Sequence, residues 1–334
     1  MTGKSRASPF GSAPSSPRQT GTTTFNSMKL HILLKRLADL NIDKGLILWI
    51  RDFLSCRPQR VCVNGSQSEV LTISTGCPQG SVLSPLLFSL FTNEFALNES
   101  NFKLIKYADD MALVGLLQKT DPSGEAFYLS HTRALEAWCL NSQLVINVSK
   151  TKEMCLCTKQ DLTIKSVLLD GQPVETVDTF KYLGTVLDGQ LSFTENTAVI
   201  FKKCSQRLNL LRRLSCLGVS PKLLELVYIT HIESVLAFHL SAWFGHLNVK
   251  CKNKLNRIVS MASKIVGKPQ KPLSHLYSER TRRKAERIVA DSSHPLSSHF
   301  EPLRSGRRYR VPLAKGVFKE SFIPNAISIL NSTK

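Results

Sequence analysis

Apolar residues recur at helical spacing over Leu30, Leu33, Leu34, Leu37 and Leu40, and again over Ile47, Ile50 and Leu54, which predicts two helices within residues 28–56. Asn41 and Gly45 mark a turn between them. From Arg60 to Ile73 the pattern alternates around Asn64-Gly65, a two-residue hairpin signal. A Gly-rich loop, Gly76 to Ser81, follows. Ser84 then predicts a helix cap with Pro85 at the first helical position, and the helix is apolar along Leu86 to Leu97. Leu104 to Val114 reads LIKYADDMALV, two apolar runs broken by two aspartates, and predicts a hairpin with Asp109 and Asp110 at its tip. His131 to Gln143 predicts a helix, while Leu144 to Cys157 and Val167 to Leu187 supply strands. Helices, hairpins and strands in this order predict an α+β fold with a largely antiparallel sheet.

From Thr197 the pattern turns helical. Ile200, Cys204, Leu208 and Leu211 form one stripe, and Ser220-Pro221 opens a second helix reaching about Gly245. A third runs from Lys250 to Gly267 with Leu255, Ile258, Val259, Ala262 and Ile265 on one side. Residues 268–334 are rich in Lys, Arg, Pro and Ser, with a short helix over Glu279 to Ile288. Residues 1–24 are rich in Ser, Thr, Pro and Gly without an apolar period, which predicts a disordered leader.

Composition narrows the classes. The 334 residues, 42% of them hydrophobic, suffice for two or three domains with a real core. No apolar run is long enough for a bilayer, and the polar N-terminus has no apolar signal region, so no membrane association is expected. Nine cysteines without CxxC pairs or zinc-ligand spacing point to free thiols in a reducing, intracellular setting, nucleus or cytoplasm. The net charge of +19 is unevenly spread. Up to Asn196 there are 19 Lys and Arg against 18 Asp and Glu; beyond it, 25 against 7. A neutral half followed by a basic half is the footprint of a phosphate-bearing partner. On the third helix Lys250, Lys254, Arg257, Lys264 and Lys268 lie away from the apolar side without interleaved acids. Arg304 to Arg310 forms a further basic cluster, open to two readings: phosphate contacts or disorder.

Asp109-Asp110 is poor turn chemistry, because a tight hairpin favours Asn-Gly or Asp-Gly and two like charges repel. Two carboxylates at a rigid tip form a hard-oxygen site for Mg²⁺; the competing reading is a solvated turn. The Gly76–Ser81 loop before a helix N-terminus suits a phosphate, and equally an ordinary strand-to-helix connection.

Four segments in this order carry more. TGCPQGSVLSP from Thr75, YADD from Tyr107, LVINVSKTK from Leu144 and FKYLG from Phe180 resemble the reverse transcriptases of LINE-type (non-LTR) retrotransposons. Trp49 to Leu54 resembles that family's WIxxFL helix, and His294-Pro295-Leu296 and Ser305-Gly306-Arg307-Arg308 resemble the end of its polyprotein. The resemblance covers the chain from about Phe25 onward. Behind the disordered leader over 1–24 it implies a polymerase palm over 25–190 with the fingers largely missing, a helical thumb over 191–267 and a basic region over 268–334. It further implies two Mg²⁺ or Mn²⁺ ions about 4 Å apart, held by Asp109 with Asp110 supporting. Lys150 or Lys152 would protonate pyrophosphate. Phe25, Gly76, Pro78, Gln79, Gly80 and Tyr107 would line nucleotide and template. Phe180, Tyr182, Leu183 and Gly184 would grip the primer, and the basic third helix would hold the duplex. The implied partners are an RNA template, a DNA primer and deoxynucleoside triphosphates.

The chain departs from that pattern at its first carboxylate. Five residues before Phe25 stands Thr20, where the family has aspartate, and no Asp or Glu precedes Asp39. The resemblance then implies an N-terminally truncated enzyme behind an unrelated leader. Its polymerase chemistry is impaired, or it survives only as a nucleic-acid-binding remnant.

Overall fold

The computed structural model describes residues 3–10, 28–78, 80–97, 99, 101–118, 123–156 and 166–332. It divides into two compact units, residues 1–178 and 179–334.

The first unit opens with β1 (Gly3–Phe10), then α1 (Leu30–Asp39) and α2 (Lys44–Leu54). The turn between the helices holds Asn41 at φ 55°, and Asp43 caps α2 by accepting from the Leu46 N–H at 3.1 Å. The ribbon of β2 (Arg57–Gln59), β3 (Cys62–Val63), β4 (Ser66–Gln67) and β5 (Leu71–Ile73) turns at Asn64 and Gly65. Both have positive φ, 49° and 83°, as a type I′ turn requires. Next come α3 (Leu83–Thr92), β6 (Phe102–Tyr107), β7 (Asp110–Gln118), α4 (Ser123–Asn141), β8 (Lys152–Leu156), β9 (Leu168–Leu169), β10 (Gln172–Pro173) and β11 (Glu175–Thr176). The helix predicted from His131 thus begins eight residues earlier. Residues 144–150 form loop and turn rather than strand.

The main sheet has the order β11-β8-β1-β7-β6, antiparallel except for β11 beside β8. Its central strand is β1. Gly3 to Phe10 pair with Gln118 to Met111 along the whole of that stretch, and Ser5 to Ala7 also pair with Leu156 to Met154. This corrects the expectation of a disordered leader for Gly3–Phe10. The physical reason is that β7 and β8 would each present a row of unpaired backbone groups, and a strand can satisfy them with its backbone alone. A ladder of that kind leaves no apolar period in the pairing segment. The rest of the leader, with Thr20, and Phe25 and Gln79 lie outside the described residues.

Leu33, Leu37, Leu54, Leu87, Phe91, Leu113, Tyr128 and Leu135 form the core of this unit. Arg36 is buried within it. Its guanidinium donates to the Phe91 carbonyl and, at 2.6 Å, to Ser142 Oγ, and it pairs with Glu94 at 2.6 Å. It also lies 4.5 Å over the Phe91 ring. One cation thereby ties α1 to α3 and to the end of α4.

The second unit starts with the hairpin β12 (Thr179–Tyr182) and β13 (Thr185–Asp188) and then turns helical. Helix α5 (Thr194–Cys216) buries Ile200, Cys204, Leu208 and Leu211, the predicted stripe. The predicted second helix is broken: α6 (Pro221–Val227), a π-helix (Tyr228–Glu233), α7 (Ser234–Leu236), then α8 (Leu240–Trp243) after His239 at φ 50°. The stretch Pro221–Trp243 is long and apolar enough by length and composition to cross a membrane, which corrects the reading that none is. Its Leu224, Tyr228, Ile232, Leu236, Leu240 and Trp243 lie in the unit's core. Helix α9 (Val249–Val266) is capped by Asn248, whose Oδ1 accepts from the Cys251 N–H at 2.8 Å, and ends at Gly267 in the left-handed conformation. Helix α10 (Leu273–Ala290) is longer than the predicted Glu279–Ile288. A final helix, α11 (Phe322–Ser332), was not predicted. Ala326, Ile327 and Leu330 of α11 bury against Ala285, Ile288 and Phe300, so the basic C-terminal region is folded.

Candidate active site and basic helix face

The two-residue turn between β6 and β7 is Ala108-Asp109, closed by Tyr107 opposite Asp110. Asp110 is therefore the first residue of β7 and not a tip residue. The turn works because Ala108 adopts φ 52°. A positive φ at the first central position is the type II′ pattern that glycine ordinarily fills, so this site stores backbone strain. The strain is held in place from behind. Lys106 Nζ donates to the Thr92 and Phe95 carbonyls at 2.7 and 3.0 Å, fastening β6 to the end of α3, and burial pushes its pKa down. Across the hairpin Gly115 faces Phe102, where an added Cβ would sit 2.7 Å from the ring.

Asp110 is half-buried, and its pKa is raised, first by burial and then by the adjacent Asp109 charge. The Lys150 charge acts in the opposite direction. Lys150 lies in a turn whose Asn147 Oδ1 accepts from the Lys150 N–H at 3.1 Å. Lys152 is in an ion pair with Glu175 at 2.6 Å and donates to the Ser149 carbonyl at 2.9 Å. Of these interactions, the Lys150 charge is the one that lowers the pKa of Asp110. Among the described residues no group of three His, Cys, Asp or Glu side chains could hold a metal ion. Two adjacent carboxylates fit one hard divalent cation that keeps waters in its shell. They fall short of the donor set for two ions, which needs carboxylates from more than one strand.

The Gly76–Ser81 loop is built by residues that the sequence did not single out. Arg57 donates to the Thr75 and Gly76 carbonyls at 2.6 and 2.9 Å and to the Leu54 carbonyl at 3.2 Å. The Gly76 N–H donates to the Met28 carbonyl at 2.9 Å. Gly76 and Gly80 take φ 66° and 82°. Ser84 is not the helix cap. It lies inside α3, buried, and its hydroxyl donates to the Pro78 carbonyl at 2.6 Å, while Ser81 Oγ accepts from the Leu83 N–H. A short hydroxyl is better used here closing the loop than capping, since the helix has already started at Leu83. Helix α3 ends at Thr92, short of the predicted Leu97. Tyr107 is 64% exposed.

In the second unit Phe180 and Tyr182 lie on β12, and Leu183-Gly184 form its turn at φ 45° and 86°. Gly184 is required twice over, because an added Cβ would also meet the Phe238 ring at 3.0 Å. On α9, Lys250, Arg257 and Lys264 are exposed. The Lys254 ammonium lies 4.6 Å over the Phe201 ring. Lys268 departs from the expected stripe: it follows the Gly267 cap and pairs with Glu225 at 2.8 Å. The sequence showed no interleaved acid, but tertiary folding brings one in from α6. In the C-terminal region Arg310 pairs with Glu301 at 3.4 Å, and Tyr309 exchanges two hydrogen bonds with Asn331. The Arg304–Arg310 cluster is therefore ordered.

Residues 22–187 match the reverse transcriptase (RNA-dependent DNA polymerase) family. Over 221 residues the chain is 28% identical to the probable RNA-directed DNA polymerase from transposon BS of Drosophila melanogaster, spanning 63% of this chain and 24% of that protein. It is 29% identical over 231 residues to the RNA-directed DNA polymerase from mobile element jockey of the same organism, 66% of this chain and 24% of that one. The Pol polyprotein from type-1 retrotransposable element R2 of Popillia japonica is 28% identical over 227 residues, 60% and 31% of the two chains. The chain thus spans about a quarter to a third of the length of these relatives.

Proposed function

The chain belongs to the reverse transcriptases of non-LTR retrotransposons through residues 22–187, and from that premise we propose that it binds nucleic acid but catalyses templated polymerisation weakly or not at all. In this reading the first unit is the polymerase palm and its β6–β7 hairpin the YADD element. The helices of the second unit are the thumb, followed by the basic C-terminal region. One observation carries the catalytic part. Neither strand paired to β7 brings it a carboxylate: β6 reads FKLIKY and β1 reads GKSRASPF, and Asp and Glu are absent before Asp39.

A divalent cation, Mg²⁺ or Mn²⁺, held by Asp109 and Asp110 would supply positive charge to substrate phosphates. The neighbouring Lys150 charge keeps Asp110 closer to its ionised form than burial alone would. The Gly76–Gly80 loop, pinned by Arg57 and Ser84, is the proposed contact for a sugar-phosphate strand. Phe25 and Gln79 belong to the same proposed nucleotide and template surface. Phe180 to Gly184 form the proposed primer grip. Lys250, Lys254, Arg257 and Lys264 form the duplex-holding face, with Lys268 weakened in that role by its ion pair. RNA, a DNA primer and deoxynucleoside triphosphates are the proposed partners. The proposed setting is intracellular, nuclear or cytoplasmic, without a membrane role.

The test is primer extension on an RNA template with Mg²⁺ and with Mn²⁺, run on the chain and on Asp109→Ala, beside RNA binding at rising salt. The expected result is no extension from either protein and RNA affinity that falls as salt rises. Extension that disappears in Asp109→Ala would show that another carboxylate completes the site and would overturn the impaired reading.

A further inference from the structure

The ribbon of the first unit stands in solvent. Every residue from Pro58 to Thr72 is exposed. Among them Val61, Val63, Val70 and Leu71 are each more than half exposed. A two-stranded ribbon by itself is marginal in water, and uncovered apolar side chains gathered on one mark a contact surface.

The two outer edges of the ribbon differ. β2 carries Pro58, with Arg57 and Arg60 beside it, and proline and charge are the usual protections of a sheet edge. β5 has neither. Val70 to Gly76 reads VLTISTG, without a charge or a proline. Leu71 to Ile73 pair with Gln59 to Arg57 on one side, and among the described residues no strand lies on the other. Pro58 is opposite Thr72 and has no N–H, which suits the antiparallel pair that exchanges no hydrogen bonds. Thr72 then turns its own N–H and C=O to the open edge.

A second copy of the same edge fits this one. With Thr72 on a two-fold axis, antiparallel pairing sets Leu71 opposite Ile73, Val70 opposite Ser74 and Glu69 opposite Thr75. Leu71 and Ile73 of both copies then share one face, and no charge meets its like. An uncharged edge has nothing for a phosphate, in contrast to the basic second half of the chain. The exposed ribbon, residues 58–72, falls short of the roughly 20–30 residues a side of a standard stable interface. The contact is therefore a weak one that forms as concentration rises.

We infer that two copies of the chain associate through antiparallel β5–β5 pairing about a two-fold axis at Thr72, joining their ribbons into one four-stranded sheet. A two-fold contact uses each open edge once, so assembly stops at the dimer. The interface is independent of nucleic-acid binding and of the hairpin carboxylates.

The experiment is sedimentation of the full chain, freed of nucleic acid, across roughly 1–100 μM. The expected result is a monomer at the low end and a dimer at the high end. Thr72→Lys and Thr72→Glu each weaken association at least about tenfold, because each sets like charges face to face across the axis. Mixed in equal amounts, the two variants associate again, since lysine now faces glutamate. Ser66→Lys, an exposed charge beside the ribbon turn, leaves association unchanged. A chain that stays monomeric at the highest concentration overturns the proposal, and so does assembly beyond the dimer. Thr72→Lys associating as the unmodified chain does would place the contact elsewhere and overturn it too. A mixture of folded variants that stays monomeric has the same consequence. Hydrogen exchange needs no variant: residues 70–74 of the unmodified chain are expected to exchange more slowly at the high concentration, and equal exchange at both ends overturns the pairing.

Discussion

The two units are completed by different means. In the second, each helix contributes a periodic apolar face, and Leu208, Leu236, Trp243, Leu255 and Ile258 meet in one core. In the first, the sheet is completed at its centre by β1, a segment without apolar periodicity, joined to β7 and β8 through backbone pairing. Side-chain burial scales with apolar area and is written in the sequence pattern. Backbone pairing is available to almost any extended segment and is not. The unit built by backbone pairing is also the one that holds the β6–β7 hairpin, and the strand recruited for its ladder, GKSRASPF, carries no Asp or Glu.

The contrast can be broken from the side-chain end first. Trp243→Ala removes a fully buried ring and is expected to cost the second unit about 3–5 kcal/mol, read from its denaturant midpoint. Ala7→Pro strikes the other mechanism. Ala7 pairs with Val114 and Met154, and losing its N–H is expected to cost the first unit roughly 1–3 kcal/mol. Hydrogen exchange would show it as faster exchange across residues 111–117. Unchanged exchange there would mean that β1 contributes nothing to the sheet, and the asymmetry between the units would vanish.

Two smaller effects sharpen the picture at the hairpin. Ala108→Gly relieves a positive φ and is expected to stabilise the first unit by about 0.5–1 kcal/mol in thermal or chemical unfolding. Asp110→Asn tests the raised carboxyl pKa. The unfolded chain ionises this group at lower pH than the folded chain, so its charge destabilises the fold progressively as pH rises through the carboxylate range. Asparagine cannot ionise, and a small rise in Tm is expected at about pH 7 and none at about pH 3. A Tm that falls at neutral pH would mean that the charged form is favoured in the fold.

Much of the site was legible because its signals are local. Asn64-Gly65 predicted the ribbon turn, and both residues take the positive φ that this requires. The apolar runs on either side of Tyr107 to Asp110 predicted the hairpin, although the turn fell one residue earlier than the two aspartates suggested. What stayed hidden depends on partners far along the chain. Arg36 reaches the Phe91 carbonyl and Ser142; Lys106 closes the carbonyls of α3; Arg57 holds the Gly76 loop. Each reads in sequence as one more surface cation. Lys268 shows the reverse case, a residue of the basic cluster that Glu225 takes out of it.

Apolar period and turn chemistry act over a few residues, so the α+β class, the hairpins, the three apolar helix faces, the charge asymmetry and the family motifs can all be read from the chain alone. Two outcomes required the assembled fold: Gly3–Phe10 lies between β7 and β8, and the basic C-terminal region packs onto α10. Each turns on which distant backbone edges and charges are left unsatisfied once the local elements have formed. That quantity belongs to the folded chain as a whole and has no counterpart in any short stretch of it.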